Sequence, residues 1–319
     1  MQTKLMRLLV FVLLLMLVST AAAQDSDKFL CGFSQAHNGH PWRVDQTADV
    51  RDYWAANLTD EMDMIFTDGR NRPDKQTADV EDLLARGVNC LIITPVQAEA
   101  LTPVVERALE EGVIVITLDR EVNVPVMLHI GADNELIGQA AAAYIGETLL
   151  DGGVGQVIEI QGTLGASATI DRNEDFIETL TADFADVEVV ASQTADYERS
   201  KALTYMEDMI QRFGPGEFQV VYAHNDEMAL GAIEALTAAD RLEGVWVVGI
   251  DGQNEAFDAI AAGQLTATFT YPNGGAEGVE YAYKILSGEE FPELEEGVLV
   301  LPSEQVDATN IEDWIDQGF

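Results

Sequence analysis

The 319-residue chain carries 17 Lys and Arg against 56 Asp and Glu, a formal net charge of -39. Such a charge repels polyanions and excludes nucleic acid and anionic membrane surfaces as partners. Disorder is excluded as well, because 47% of the residues are hydrophobic, so the acidic groups read as a solvated shell around a packed interior.

In chain order, the first segment concerns export. Lys4 and Arg7 precede an uncharged apolar run from Leu8 to Val18, followed by small residues up to Ala23. The run is shorter than the roughly 20 residues of a spanning helix. A basic start, a short apolar core and small residues predict a secretory signal, residues 1-23, cleaved near Ala23. Cys31 lies past this run and inside the first predicted strand, Phe29 to Ser34, so a lipid anchor is not expected. Cys90 opens a second strand-like run, Cys90 to Thr94. The two cysteines could pair in an oxidising compartment, but both stand where core residues belong, and buried free thiols are the expectation.

The other predicted strands are Met62 to Thr67, Val113 to Leu118, Val157 to Gln161, Val187 to Ala191, Gln219 to Ala223 and Val245 to Ile250. Between two of them, Leu101, Val104, Val105, Ala108 and Leu109 recur at helical spacing and stop at Gly112, an amphipathic helix with a glycine end. Met228 to Leu236 reads as an apolar helix. Alternating strands and helices predict the α/β class, with parallel sheets covered on both faces. The roughly 300 residues beyond the signal exceed one comfortable hydrophobic core, so two lobes are expected.

Ligands of open α/β sheets bind beyond the carboxyl ends of the strands. Here those ends are polar: Ser34 and Gln35, Asp119 and Arg120, His224 to Asp226, and Asp251. Carboxylates accept hydroxyl hydrogens, whereas guanidinium and amide groups donate in planar geometry, a combination suited to a polyhydroxylated ligand. Trp42 and Tyr197, both read as loop residues, could stack on the apolar face of a sugar. Each feature has a structural alternative: an Asp119–Arg120 ion pair, an Asp251-Gly252 turn, helix caps at Asn225 and Asp226, and ordinary burial of the aromatics. Enzyme signatures are weak. Gly162 and Gly165 lack the Lys-Ser or Lys-Thr of a phosphate loop, no nucleophile elbow occurs, and His37, His40, His129 and His224 show no metal-ligand spacing. No cofactor and no metal are expected, and the histidines read as solvated or loop residues.

Five ordered segments carry a family likeness: Thr117-Leu-Asp-Arg120, His129-Ile-Gly-Ala-Asp-Asn134, Glu159-Ile-Gln-Gly162, Tyr222 to Ala232 and Val248-Gly-Ile-Asp-Gly252. Together they resemble the periplasmic ribose-binding and galactofuranose-binding proteins, type I periplasmic binding proteins, over nearly all of the chain beyond the signal. The resemblance implies two similar doubly wound parallel-sheet lobes joined by a three-segment hinge, residues 24-132 plus 271-297 and residues 133-270 plus 298-319. It implies that Ser34, Trp42, Arg43, Asp119 and Arg120 line one side of a cleft and Arg172, Tyr197, Asn225 and Asp251 the other, with Thr270 or Tyr271 at a crossing. It also implies a monomeric periplasmic receptor that encloses a monosaccharide and hands it to the membrane permease of an ABC importer, with a chemoreceptor as a further potential partner. The ribose binders have adjacent phenylalanines where Pro41-Trp42-Arg43 stands here, and the Trp-Arg pair resembles the galactofuranose branch instead. Receptors for the sugar-like signal autoinducer-2 share the fold and remain an alternative. An exported hydrolase would need an acid-base pair, which Asp119 and Asp251 formally supply, but no turnover is expected.

The acidic shell suits a protein that faces high external salt, where screening blunts self-repulsion. Thermal melts from low to molar NaCl should show the midpoint rising with salt; a midpoint indifferent to salt would contradict this reading.

Overall fold

In this computed structural model the described residues are 28-290, 292, 294 and 297-319; the predicted export signal lies outside them. The first sheet forms from β1 (Phe29–Gln35), β2 (Met62–Asp68), β3 (Cys90–Ile93), β4 (Ile114–Leu118) and β5 (Leu128–Ala132), with β11 (Val298–Leu301) returning from near the end of the chain. Its order is β11-β5-β4-β3-β1-β2 and every pairing is parallel. The second sheet forms from β6 (Gly155–Gln161), β7 (Val187–Thr194), β8 (Val220–Ala223), β9 (Trp246–Asp251), β10 (Ala267–Thr270) and β12 (Gln305–Asp307). Its order is β12-β10-β9-β8-β6-β7, parallel except for the β10–β12 edge. The two sheets thus repeat one winding order and each gains a sixth strand from the C-terminal segment. Central strands such as β3, buried at all four residues, read as unbroken apolar runs because helices cover both of their faces.

Three helices sit among the strands of the first lobe: α1 (Pro41–Asn57), α2 (Pro73–Ala85) and α3 (Ala98–Glu110). The second lobe holds α4 (Asn134–Ala143), α5 (Ser167–Asp183), α6 (Arg199–Arg212), α7 (Asp226–Ala238) and α8 (Asn254–Ala261), while α9 (Gly275–Ser287) returns to pack on α1. Pro41 and Pro73 open their helices where an N–H would be unpaired anyway. Gly112, just past α3, takes a left-handed φ of 81°, the conformation that ends a helix with least strain in glycine. The α4 helix begins on Asp133, whose carboxylate accepts the Leu136 N–H at 3.0 Å.

The chain passes between the sheets at Asp133, along 271-274 and along 302-304. The last crossing corrects the expected boundary at 297/298. Val298–Leu301 pairs in parallel with β5 and stays in the first lobe, because its apolar residues complete that sheet's edge.

The expectation of free thiols is also corrected. Cys31 and Cys90 form a disulfide with their Cα atoms 4.7 Å apart. They are direct register partners on β1 and β3, so strand pairing alone brings them together. The bond closes a loop across a sequence separation of 59, for which chain entropy gives about 4 kcal/mol of stabilisation. Denaturant unfolding with and without a thiol reductant should show a loss of about 2–4 kcal/mol on reduction; identical midpoints would contradict the bond's structural role.

Candidate functional site

The carboxyl ends of both sheets converge on one cavity, lined by His40, Trp42, Arg43, Asp119, Arg120, Ala168, Arg172, Tyr197, Asn225, Asp251 and Tyr271. Nine of the eleven residues expected at the site are therefore gathered there. The other two are elsewhere. Ser34 is fully buried beside the Gln76 amide, which donates to its hydroxyl and its carbonyl, because β1 turns that side chain toward α2. Thr270 lies on the wall of a neighbouring crevice, where its hydroxyl accepts the Glu304 N–H and ties two crossings together. Trp42, read as a loop residue, belongs to the first turn of α1.

Three guanidinium groups dominate the cavity, each laid on an aromatic ring. Arg43 lies 4.7 Å from the Trp42 ring centre, Arg120 5.3 Å from Tyr197 and Arg172 4.4 Å from Tyr271. The Arg120–Tyr197 contact joins the two lobes. Asp119 is the shared anion: Arg43 pairs with it directly, the Tyr271 hydroxyl donates to it at 2.7 Å, and Arg120 stands 3.7 Å away. Burial alone would raise the Asp119 carboxyl, but Arg43, Arg120 and Tyr271 outweigh it and hold Asp119 below the usual carboxylate range. Arg120 feels the converse, pulled down to about 10 by burial and by the neighbouring Arg43.

Supporting residues orient these groups. Gln46 accepts from Arg43 at 3.1 Å and donates to the Asn273 carbonyl at 2.7 Å, linking α1 to the second crossing. Trp42 donates its indole N–H to the Tyr271 carbonyl at 2.7 Å. Asn134 ties the second lobe to the second crossing, accepting from Arg172 at 2.8 Å and donating to the Tyr271 hydroxyl at 3.0 Å. Arg172 also donates to the His224 carbonyl. The His224 ring in turn meets Glu159 at 3.0 Å, and Asn173, Ser192 and Gln161 all donate to that carboxylate. Burial opposes the Glu159 charge, yet His224, Ser192 and Asn173 bring it down to about 2. Gly162 leaves room for the Tyr197 ring, whose atoms would lie 2.0 Å from an added Cβ.

Asp251 is different. It faces the cavity from the second lobe, and among the described residues no donor reaches its carboxylate. Its neighbour Asp226 instead takes the backbone N–H groups of Gly252 and Gln253 at 2.8 and 3.1 Å and the Thr268 hydroxyl at 2.7 Å. Burial, then the nearby Asp226, push Asp251 well above the usual range, with Arg172 opposing. Asn225 both lines the cavity and caps α7, accepting the Met228 N–H at 3.0 Å, so its two readings hold together.

Backbone strain is present at the cavity. Asp119 and Tyr197 have φ of 62° and 63°, and Asp251 has 129°, outside even the left-handed helical region. Among the described residues, some buried polar atoms without a hydrogen-bond partner lie here as well: Nε of Arg43 and of Arg120, and Nδ1 of His40. An unpaired buried polar group costs about 1–3 kcal/mol, more when charged. A ligand bearing several hydroxyls would pair these groups and Asp251 together. Only about 20 Å³ of space is open among the side chains, about one water molecule's worth, so a sugar-sized ligand needs these side chains or the lobes to give way. The occupant they suit is a small polyol with apolar C–H faces for the three rings.

Residues missed from the sequence are His40, Ala168 and the bridging Asn134. His40 had a signal in its place immediately before Pro41-Trp42-Arg43; Asn134 stood within a recognised segment but had no chemistry of its own to mark it.

Comparison with known proteins shows the family of the chain. Residues 31–290 match the model of the periplasmic binding protein domain. A ribose import binding protein of Salmonella typhimurium is 40% identical over 229 residues, 71% of this chain and 75% of that protein. A galactofuranose-binding protein of Escherichia coli is 31% identical over 267 residues, 80% of this chain and 82% of that one. Among solved structures, a galactofuranose binding protein superposes with a TM-score of 0.83 at 26% identity, covering 91% of this chain and 98% of the other.

Proposed function

From the premise that this chain belongs to the periplasmic binding protein family, as a type I sugar-binding member and not an enzyme, we propose that it captures one monosaccharide by hinge closure and delivers it to an ABC importer. The observation that carries this reading is the set of three stacked guanidinium groups, drawn from both lobes around Asp119 and opposite Asp251. Hydrogen bonds to charged groups contribute about 1.5–3 kcal/mol each, and every ligand hydroxyl left unpaired costs a comparable amount. Specificity for a sugar follows from that penalty.

Closure follows from where the contacts originate. Trp42, Arg43, Asp119 and Arg120 belong to the first lobe, Arg172, Tyr197, Asn225 and Asp251 to the second, and Tyr271 to a crossing. A ligand touching both sets favours the closed form by the contacts that the open form lacks. A galactofuranose-like sugar or a related aldose is the reading favoured by the Trp42–Arg43 stack, supported by the galactofuranose-binding relatives. Residues 1-23 would direct the chain to the periplasm, where the closed form meets its permease.

A thermal-shift screen of pentoses, hexoses and furanose-rich forms identifies the sugar, and calorimetry then tests the site. Arg120→Ala and Asp251→Ala should each weaken binding by about 2–3 kcal/mol, about 30- to 150-fold. Unchanged affinity in both variants would contradict the site, and the absence of any sugar that shifts the melt would contradict the reading.

A further inference from the structure

His37 and His40 occupy the loop and first cap before α1, with ring centres 5.0 Å apart and edge to face. Both are buried, and His40 faces the Tyr197 ring of the opposite lobe at 6.4 Å. Nδ1 of His37 accepts the Gly39 N–H at 3.0 Å, so a proton there would set two donors against each other. Nε2 of His37 and Nδ1 of His40 are buried without a hydrogen-bond partner among the described residues, and His40 lines the cavity. The charged groups facing the pair are Arg43 of α1 and Arg120 and Asp119 beyond β4, while the second lobe presents the Tyr197 ring. Asp119 is already engaged by both guanidinium groups and by Tyr271. An imidazolium in this place would be buried beside two cations with no free anion. Burial, then Arg43 and Arg120, bring His37 down to about 3, and burial, then His37 and the same arginines, hold His40 well below its ordinary value.

We propose that His40 contacts the ligand as a neutral imidazole, backed by His37, and that closing the lobes over this pair makes capture proton-linked, so that acidification releases the ligand. The proposal rests on the hinge-closure reading above. When Tyr197 withdraws and the rings meet water, each takes up a proton more readily, approaching the ordinary histidine value of about 6.5 from below because Arg43 and Arg120 stay beside them; in the closed form it does not. Affinity is therefore unaffected well above pH 6.5 and falls as pH drops through it, down toward the closed-state values. At pH 5.5 one ring weakens binding by at most about tenfold and two by at most about a hundredfold. Asp251 and Asp226, which burial also displaces upward, are common to wild type and histidine variants, so comparison between them cancels their part.

Calorimetry with the sugar found by screening, from pH 8 to pH 5.5 in two buffers of different ionisation heat, tests this on wild type, His37→Asn and His37→Asn/His40→Asn. Wild type should lose several-fold or more in affinity, up to about a hundredfold, and release about half a proton or more per sugar at pH 6. The double variant should release none and keep its affinity, whatever its level, nearly level with pH. Should that variant fail to fold, His37→Asn alone should cut the proton release by about half. Sugar binding that is independent of pH in wild type, or an equal loss in the histidine variants, would overturn the proton linkage alone. Absence of sugar binding at every pH would overturn the receptor reading with it.

Discussion

A buried carboxylate ringed by guanidinium groups is the constraint on which the structure turns. Asp119 is 4% exposed and would be costly to bury alone, yet Arg43, Arg120 and the Tyr271 hydroxyl all reach it. Removing one partner from such a cluster leaves an uncompensated charge, whereas keeping all of them requires the first lobe and the second crossing to meet. Tyr271 then connects through Asn134 to Arg172, which hangs from the His224 carbonyl of the second lobe. The two lobes are thus joined at their sheet ends by one polar network as well as by three strands of chain.

The network is held in place by residues that never face the cavity. Glu159, with His224, Asn173, Ser192 and Gln161 around it, fixes the main chain that receives Arg172. Asp226 gathers the turn after β9 and so sets the unusual φ of Asp251. The strain at Asp119, Tyr197 and Asp251 is affordable only because these supports and the packed sheets beneath over-determine the backbone. Nε of Arg43 and of Arg120 and Nδ1 of His40 remain unpaired at the cavity, where the hydroxyls of a polyol would meet them.

Much of this was legible in the chain. The β3, β4, β8 and β9 strands are Val- and Ile-rich runs between turn residues, and buried parallel strands leave that pattern. The β5, β10, β11 and β12 strands are three to five residues long, and their pairing is decided by where the crossings bring them; hence the misplaced boundary at 297/298. Strand-end polarity pointed to Asp119, Arg120, Asn225 and Asp251, but equally to Ser34, Gln35, His224 and Asp226, which do not line the cavity, and the family likeness added Trp42, Arg43, Arg172, Tyr197 and Tyr271. It also suggested Ser34 and Thr270, whose side chains turn to Gln76 and Glu304 because one residue of register decides which face a strand residue serves. The Cys31–Cys90 bond was hidden for the same reason: only the β1–β3 register makes them neighbours. His40 looked like a solvated histidine until the second lobe was in place to bury it.

A charge cluster shared between lobes makes a direct demand on shape. If ligand hydroxyls complete that cluster, the ligand must draw the lobes together. Small-angle X-ray scattering of the full chain, with and without a saturating sugar identified by screening, measures this most directly. The account predicts a smaller radius of gyration with sugar present, and loss of that change in Arg172→Ala. Identical scattering curves at saturation, with binding confirmed by calorimetry, would contradict it.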